Sequence, residues 1–383
     1  MKILLPDSEG LKTAYQLSGK SAPQETLPAD PARIVYSAAH VTADPFSASA
    51  PSGRAAIDWE TTLAFRRYLD GLGLGIAEAM DTAQRGMGLD WRNALELIKR
   101  TKEDLPHARV VNGCGTDHLA PEDARSMDDV SDAYLEQVDA IQGVGARIIL
   151  MASRALVRVA KSPDDYKAVY AKVLSACDQP VVLHWLGSAF DPALKGYWGA
   201  PHFEDALEVA LEVIEHNKSK IDGIKISLLD KEKEILMRRR LPAGVKMYTG
   251  DDFNYPELIA GDEQGYSHAL LGIFDPIAPL AASAVKRLGE GDKAGFHALL
   301  DPTVPLARLM FQAPTQYYKT GVVFLAWLNG FQKHFIMLNG AQSMRALPYF
   351  TGIFRHADAC GLLRDPERAI ERMRSFLALY GAD

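Results

Sequence analysis

Hydrophobic positions along the chain fall into short β-rich runs, separated by longer segments whose apolar residues recur at helical spacing. The runs occupy 33–37, 71–76, 109–112, 147–151, 180–184, 222–226, 244–248 and 268–272. Between them, 61–72, 90–101, 127–143, 164–176 and 203–217 each carry the stripe of one helix face. The last two crossovers are shorter, yet each holds a helical pattern, at 231–240 and 256–265. Strand alternating with helix predicts parallel βαβ units. Eight units in succession predict a closed (β/α)₈ TIM barrel in preference to an open sheet.

The flanks read differently. Residues 1–32 form an N-terminal extension, in which 2–5 and 11–17 match as a hairpin about Asp7-Ser8-Glu9-Gly10, followed by a loop rich in Pro and Ser. Beyond the eighth run, 280–380 is mostly helical in pattern and predicts a C-terminal helical subdomain. The expected division is therefore 1–32, 33–285 for the barrel, and 286–383. No repeat beyond the βα unit is visible.

Composition adds limits. The 383 residues exceed the ~250 of a typical barrel and leave room for both flanks. Hydrophobic residues make up 48% and charged residues 24%, enough to build a large core. A net charge of −7 with no dominant basic stripe argues against nucleic acid as a partner. Arg238-Arg239-Arg240 ends a Lys/Glu-rich stretch and reads as a solvated helix face. No run approaches the ~18 apolar residues of a membrane span, and the first residues lack a signal-peptide pattern. The expectation is a cytoplasmic enzyme without membrane contact. Cys114, Cys177 and Cys360 match no zinc or disulfide spacing and read as reduced thiols.

In such a barrel the chemistry sits at the C-terminal strand ends. Those ends offer His40, Glu78, Asp81, Cys114, Asp117, His118, Ser153, Arg154, His184, Lys225, Ser227, Tyr248, Asp251, Asp252 and Asp275. Side chains alternate between barrel interior and helix layer. On the sixth run Ile224 and Ile226 suit the helix layer, so Gly223, Lys225 and Ser227 face inward. On the fifth, Val182 and His184 face inward; on the seventh, Lys246 and Tyr248. Burial depresses a lysine pKa, and a neutral lysine attacks carbonyls. The plain structural reading of Lys225 is an internal ion pair with a carboxylate, and parity leaves both readings open. His184 likewise reads either as a general acid/base or as a satisfied core histidine.

A family resemblance enters here. Asp222-Gly223-Ile224-Lys225-Ile226-Ser227 resembles the Gly-Ile-Lys-x-Ser/Thr strand of the dihydrodipicolinate synthase/N-acetylneuraminate lyase superfamily. Met247-Tyr248-Thr249-Gly250-Asp251-Asp252 resembles that family's following Ser/Thr-Gly-Asp-Asp strand, and 261–278 its eighth. The likeness runs from about Arg33 to the C-terminus, and the chain is similar to a branch set apart by its N-terminal extension and longer loops. It implies a class I aldolase or lyase in which Lys225 forms a Schiff base with a keto acid or sugar-derived carbonyl compound. It also implies a homodimer or homotetramer. Lys225, His184 and Tyr248 are the catalytic candidates. His40, Glu78, His118, Ser227, Gly250, Asp251 and Asp252 are the substrate-binding candidates. No cofactor and no metal are required.

The sequence departs from the family at two strands. The second strand of the family ends in Gly-Thr-Thr-Gly-Glu, whose hydroxyls and amides hold a keto-acid carboxylate; here Gly73-Leu74-Gly75-Ile76-Ala77-Glu78 has no hydroxyl. The fifth ends in a relay tyrosine; here His184 stands at that place. An insertion at 190–203 with Lys195, Tyr197, Trp198 and His202 reads as a cap on the site, an oligomer contact or inert surface. Three alternatives stay open. Lys246 is a second inward lysine, as in two-lysine aldolases. A metal-dependent sugar isomerase, epimerase or lyase would draw on His40, Glu78, Asp117, His118, His184 and Asp275. The third is a barrel that binds carbonyl compounds without turning them over.

Overall fold

The computed structural model describes residues 1–47 and 55–382. Two strands, β1 (Lys2–Pro6) and β2 (Lys12–Gln16), pair antiparallel as the expected hairpin, with Asp7 bonding back to the Glu9 and Leu11 amides in the turn. Eight further strands close a parallel barrel: β3 (Val35–Ala38), β4 (Gly75–Glu78), β5 (Val110–Cys114), β6 (Ile148–Leu150), β7 (Val181–Leu186), β8 (Ile221–Ser227), β9 (Lys246–Thr249) and β10 (His268–Leu271). Each pairs with its neighbour in sequence, and β10 pairs with β3 to close the ring. The protein is thus a (β/α)₈ TIM barrel.

The chain divides into two compact units. One holds Arg33–Ala39 and Gly75–Gly272, and so all eight barrel strands. The other holds Met1–Ala32, His40–Leu74 and Ile273–Asp383. The N-terminal extension is therefore not an isolated appendage. Tyr15 and Ser18 bond to Asp358, and Glu25 pairs with Lys286 and Arg287, so 1–32 packs with the C-terminal helices of its own unit. That unit also includes the helix Trp59–Gly71 and is filled by an aromatic cluster of Phe324, Trp327, Phe335, Phe350 and Phe376.

Inside the barrel, Tyr36, Ala38, Ala77, Val111, Ile149, Val182, Tyr248 and Leu270 form one buried cluster. These residues fix the inward parity of seven strands. Strand β4 starts four residues later than its hydrophobic run suggests. The preceding helix ends at Gly71, and Gly73 turns the chain at φ 75, where an added Cβ would sit 2.7 Å from the Leu27 carbonyl oxygen. Within the strand Ala77 faces inward and Glu78 outward. Helix starts are local: Asp90, Ser126, Asp230 and Asp292 each cap the N-terminus of the helix that follows. No helix among the described residues is long and apolar enough to cross a membrane.

Candidate active site

Strands β7 and β8 place the central pair. His184 and Lys225 are register partners, so their side chains leave adjacent strands side by side. Both are buried, at 1% and 7% exposure. Ser227, two residues on, lies with Oγ 3.2 Å from His184 Nε2 and orients the ring. His184 Nδ1 is buried with no hydrogen-bond partner. Lys225 makes no side-chain hydrogen bond or ion pair among the described residues, so the internal ion pair considered for it is not formed.

Burial lowers the pKa of Lys225, opposed by the Asp81 and Asp252 carboxylates acting through space. Burial, with the Lys225 charge adding to it, holds His184 well below the ordinary histidine value. The imidazole is therefore held toward its neutral form.

Gly250 opens the space for the amine. A Cβ there would lie 2.2 Å from Ser227 Oγ, 2.6 Å from the Ile226 oxygen and 2.8 Å from Lys225 Cε. Its N–H donates to Ile226, so it has no amide for substrate. The contribution of Gly250 is the absence of a side chain, a correction to its expected binding role.

His184 opens onto a cleft of about 170 Å³ at the C-terminal end of the barrel. The cleft is also lined by Asp81, Arg85, Thr116, Asp117, Arg154, Asp191 and Leu194. Thr116 and Ser153 share a hydrogen bond of 2.6 Å between hydroxyls. The 190–203 insertion takes part directly. Asp191 and Leu194 reach the cleft, while Tyr197 and Trp198 are buried against Tyr166 and Tyr170, with the Tyr197 hydroxyl on the Ser153 N–H.

Several candidates lie elsewhere. Tyr248 stands opposite Lys225 in register, but its hydroxyl donates to Asp222 at 2.7 Å, three residues toward the N-terminal end of β8. Burial and the Asp222 charge push its pKa up, so it is no proton relay for Lys225. Lys246 pairs with the same Asp222 at 2.7 Å, which removes the two-lysine arrangement. Glu78 faces the helix layer, accepting from the Thr101 hydroxyl at 2.8 Å and the Ala79 N–H at 2.9 Å. His118 turns to the helix Met127–Gln142, with Nδ1 2.8 Å from Gln137 Nε2 and Nε2 3.3 Å from Glu136, so neither nitrogen faces the cleft. Asp251 caps the turn after β9, accepting from Phe253, Asn254 and the Asn254 side chain. His40 lies in the other compact unit, its Nδ1 2.7 Å from Asp275, which also accepts the His40 N–H. Asp252 remains, buried at 4% exposure and acting on Lys225.

Two cleft residues carried no assignment from sequence. Asp81 follows β4 in a short 3₁₀ turn and makes no side-chain hydrogen bond or ion pair among the described residues. Its strand-end place was a signal, but nothing in the local pattern separated it from Glu78. Arg85 gave no signal. It bonds Asp117 through two nitrogens and also reaches the Ala79 and Gly113 oxygens and Gln137. Burial raises the Asp117 pKa, but the Arg85 charge overrides it and holds the carboxyl below its usual value. For the metal alternative, no three His, Cys, Asp or Glu side chains among the described residues gather closely enough to hold an ion.

The barrel defines the class by fold alone: a TIM barrel similar to those of solved dihydrodipicolinate synthase structures. The synthase structure from Thermotoga maritima superposes with a TM-score of 0.65 at 14% identity, over 86% of this chain and 99% of that one. A chloride-inhibited synthase from Acinetobacter baumannii complexed with pyruvate gives 0.63 at 15%, over 86% and 99%. The Aquifex aeolicus synthase gives 0.60 at 12%, over 91% and 98%. The chain belongs to the family described as protein of unknown function (DUF993), whose model matches residues 3–382. No curated protein matches the sequence.

Proposed function

We propose that the protein is a class I, Schiff-base-forming aldolase or lyase acting on a small carbonyl compound. The observation that carries this reading is Lys225: a buried amine with no ion-pair partner among the described residues, beside an imidazole held toward its neutral form, at the C-terminal end of a barrel. Its depressed pKa supports the neutral form that attacks carbonyl carbon.

The steps follow from that geometry. Lys225 Nζ adds to the carbonyl carbon, and loss of water leaves an iminium. The iminium withdraws electrons, so the C–C bond one carbon away breaks with its electron pair passing into an enamine. His184 takes the proton from the hydroxyl on the departing carbon, which leaves as a second carbonyl product. Protonation of the enamine and hydrolysis release the first product and restore the amine. Synthesis is the reverse. Ser227 positions the imidazole, and Thr116, braced by Ser153, lines the cleft and offers its hydroxyl to a substrate oxygen. A homodimer or homotetramer is part of the proposal, and light scattering of the purified protein tests it.

Sodium borohydride tests the chemistry. Incubation with an accepted carbonyl compound and borohydride gives a stable secondary amine on Lys225, read by peptide mass. Lys225→Ala removes the adduct while circular dichroism stays that of the parent. Absence of any adduct across a panel of keto acids, hydroxyketones and aldoses would falsify the reading.

A further inference from the structure

We propose that the cleft selects an uncharged, hydroxylated carbonyl compound and disfavours a carboxylate next to the carbonyl; this rests on the Schiff-base reading of Lys225. The charge around the cleft carries it. Its lining has two arginines, Arg85 and Arg154, against three aspartates, Asp81, Asp117 and Asp191. All five donor hydrogens of Arg85 are engaged by Asp117, Gln137 and the Ala79 and Gly113 oxygens, so it has none for a substrate anion. Arg154 is paired with Asp191 at 2.5 Å, and its side chain is 47% exposed, in water at the mouth. Asp81 is the cleft carboxylate with no side-chain hydrogen bond or ion pair among the described residues.

The segment after β4 spends several of its amides internally. The Ala79 N–H is taken by Glu78, and the N–H groups of Ala83, Gln84 and Arg85 close onto the Met80 and Asp81 oxygens of the same turn. A substrate carboxylate beside the new iminium would meet the Asp81 and Asp252 carboxylates, which act on Lys225 through space, while the cleft guanidinium with unused N–H groups, Arg154, is half-exposed and held by Asp191. A hydroxyl in the same place meets acceptors. Asp81 accepts from it, and the buried, unpartnered His184 Nδ1, on a residue that lines the cleft, supplies a second polar contact. Asp81 is thus a specificity residue of the site.

Hydroxyacetone and pyruvate differ only in a hydroxymethyl group against a carboxylate, which makes them the probe pair. Borohydride labelling of Lys225 in the full-length protein is measured with each, and each rate is divided by that of a model amine with the same compound. The expected ratio favours hydroxyacetone by about tenfold or more, the size of one modest charge contact. Asp81→Asn narrows that ratio by raising the pyruvate rate, and the wild-type ratio decides the matter even if this variant fails to fold. Equal or faster labelling by pyruvate overturns the selectivity and leaves the Schiff base standing. Labelling by neither, nor by any other carbonyl compound, overturns both.

Discussion

His184 and Lys225 stand opposite each other on adjacent strands, an imidazole and an amine in register, both buried and both driven toward their neutral forms. Two neutral bases side by side divide the labour: one forms the bond to carbon, and the other moves the proton. Ser227 holds the ring by one nitrogen, and the other nitrogen has no protein partner.

Replacing His184 by Gln separates the roles. Lys225 still forms the borohydride-stable adduct, while turnover of an accepted substrate falls about 10²- to 10⁴-fold, the range for loss of a general acid/base. Single-turnover labelling against steady-state rate checks the split. Equal loss in both would place His184 in imine formation instead.

The pH dependence of adduct formation follows from the lysine. Burial lowers its pKa, so the reactive neutral amine is populated at lower pH than for a free lysine, whose value is near ~10.4. The labelling rate therefore rises with pH and levels off below that value. Asp81 and Asp252 stabilise the ammonium form, so Asp81→Asn moves the midpoint further down. A pH-rate profile of both proteins reads the direction.

Gly250→Ala tests the close approach at Lys225. The new methyl meets Ser227 Oγ, the Ile226 oxygen and Lys225 Cε, all within 2.8 Å. The backbone oxygen cannot rotate away, so the β8–β9 junction must shift and the amine with it. Labelling falls sharply, with a loss of stability of about 1–3 kcal/mol from overpacking, seen as a lower denaturation midpoint.

Tyr248→Phe gives the opposite pattern. The variant loses one hydrogen bond to Asp222, which keeps Lys246 at 2.7 Å. Stability drops by about 1 kcal/mol while the labelling rate is unchanged. A large fall in labelling would return the hydroxyl to the reaction. The same comparison shows how far strand parity reaches. Parity puts Tyr248 and Lys225 on one face, yet one side chain leans toward Asp222 and the other toward Gly250.

The 190–203 insertion also needed the fold. Its aromatic residues could be read equally as surface, contact or cap. Packing of Tyr197 and Trp198 on the helix Pro163–Ser175 anchors the loop, and that brings Asp191 and Leu194 to the cleft.

The eight alternating runs determined the barrel, because periodicity is a local property and eight βα units close in one way. The inward direction of Lys225, His184 and Ser227 was local too, since it follows from alternation along a single strand. What lay beyond the sequence was the start of β4, which a glycine turn against Leu27 delays, and the pairing of Glu78 with Thr101. Nor could periodicity show that Asp222 takes Tyr248 and Lys246, that Arg85 is fully engaged, or that Asp81 is left facing the cleft alone. Those are pairings between residues far apart in sequence, and only the closed barrel decides which charges meet and which remain for a substrate.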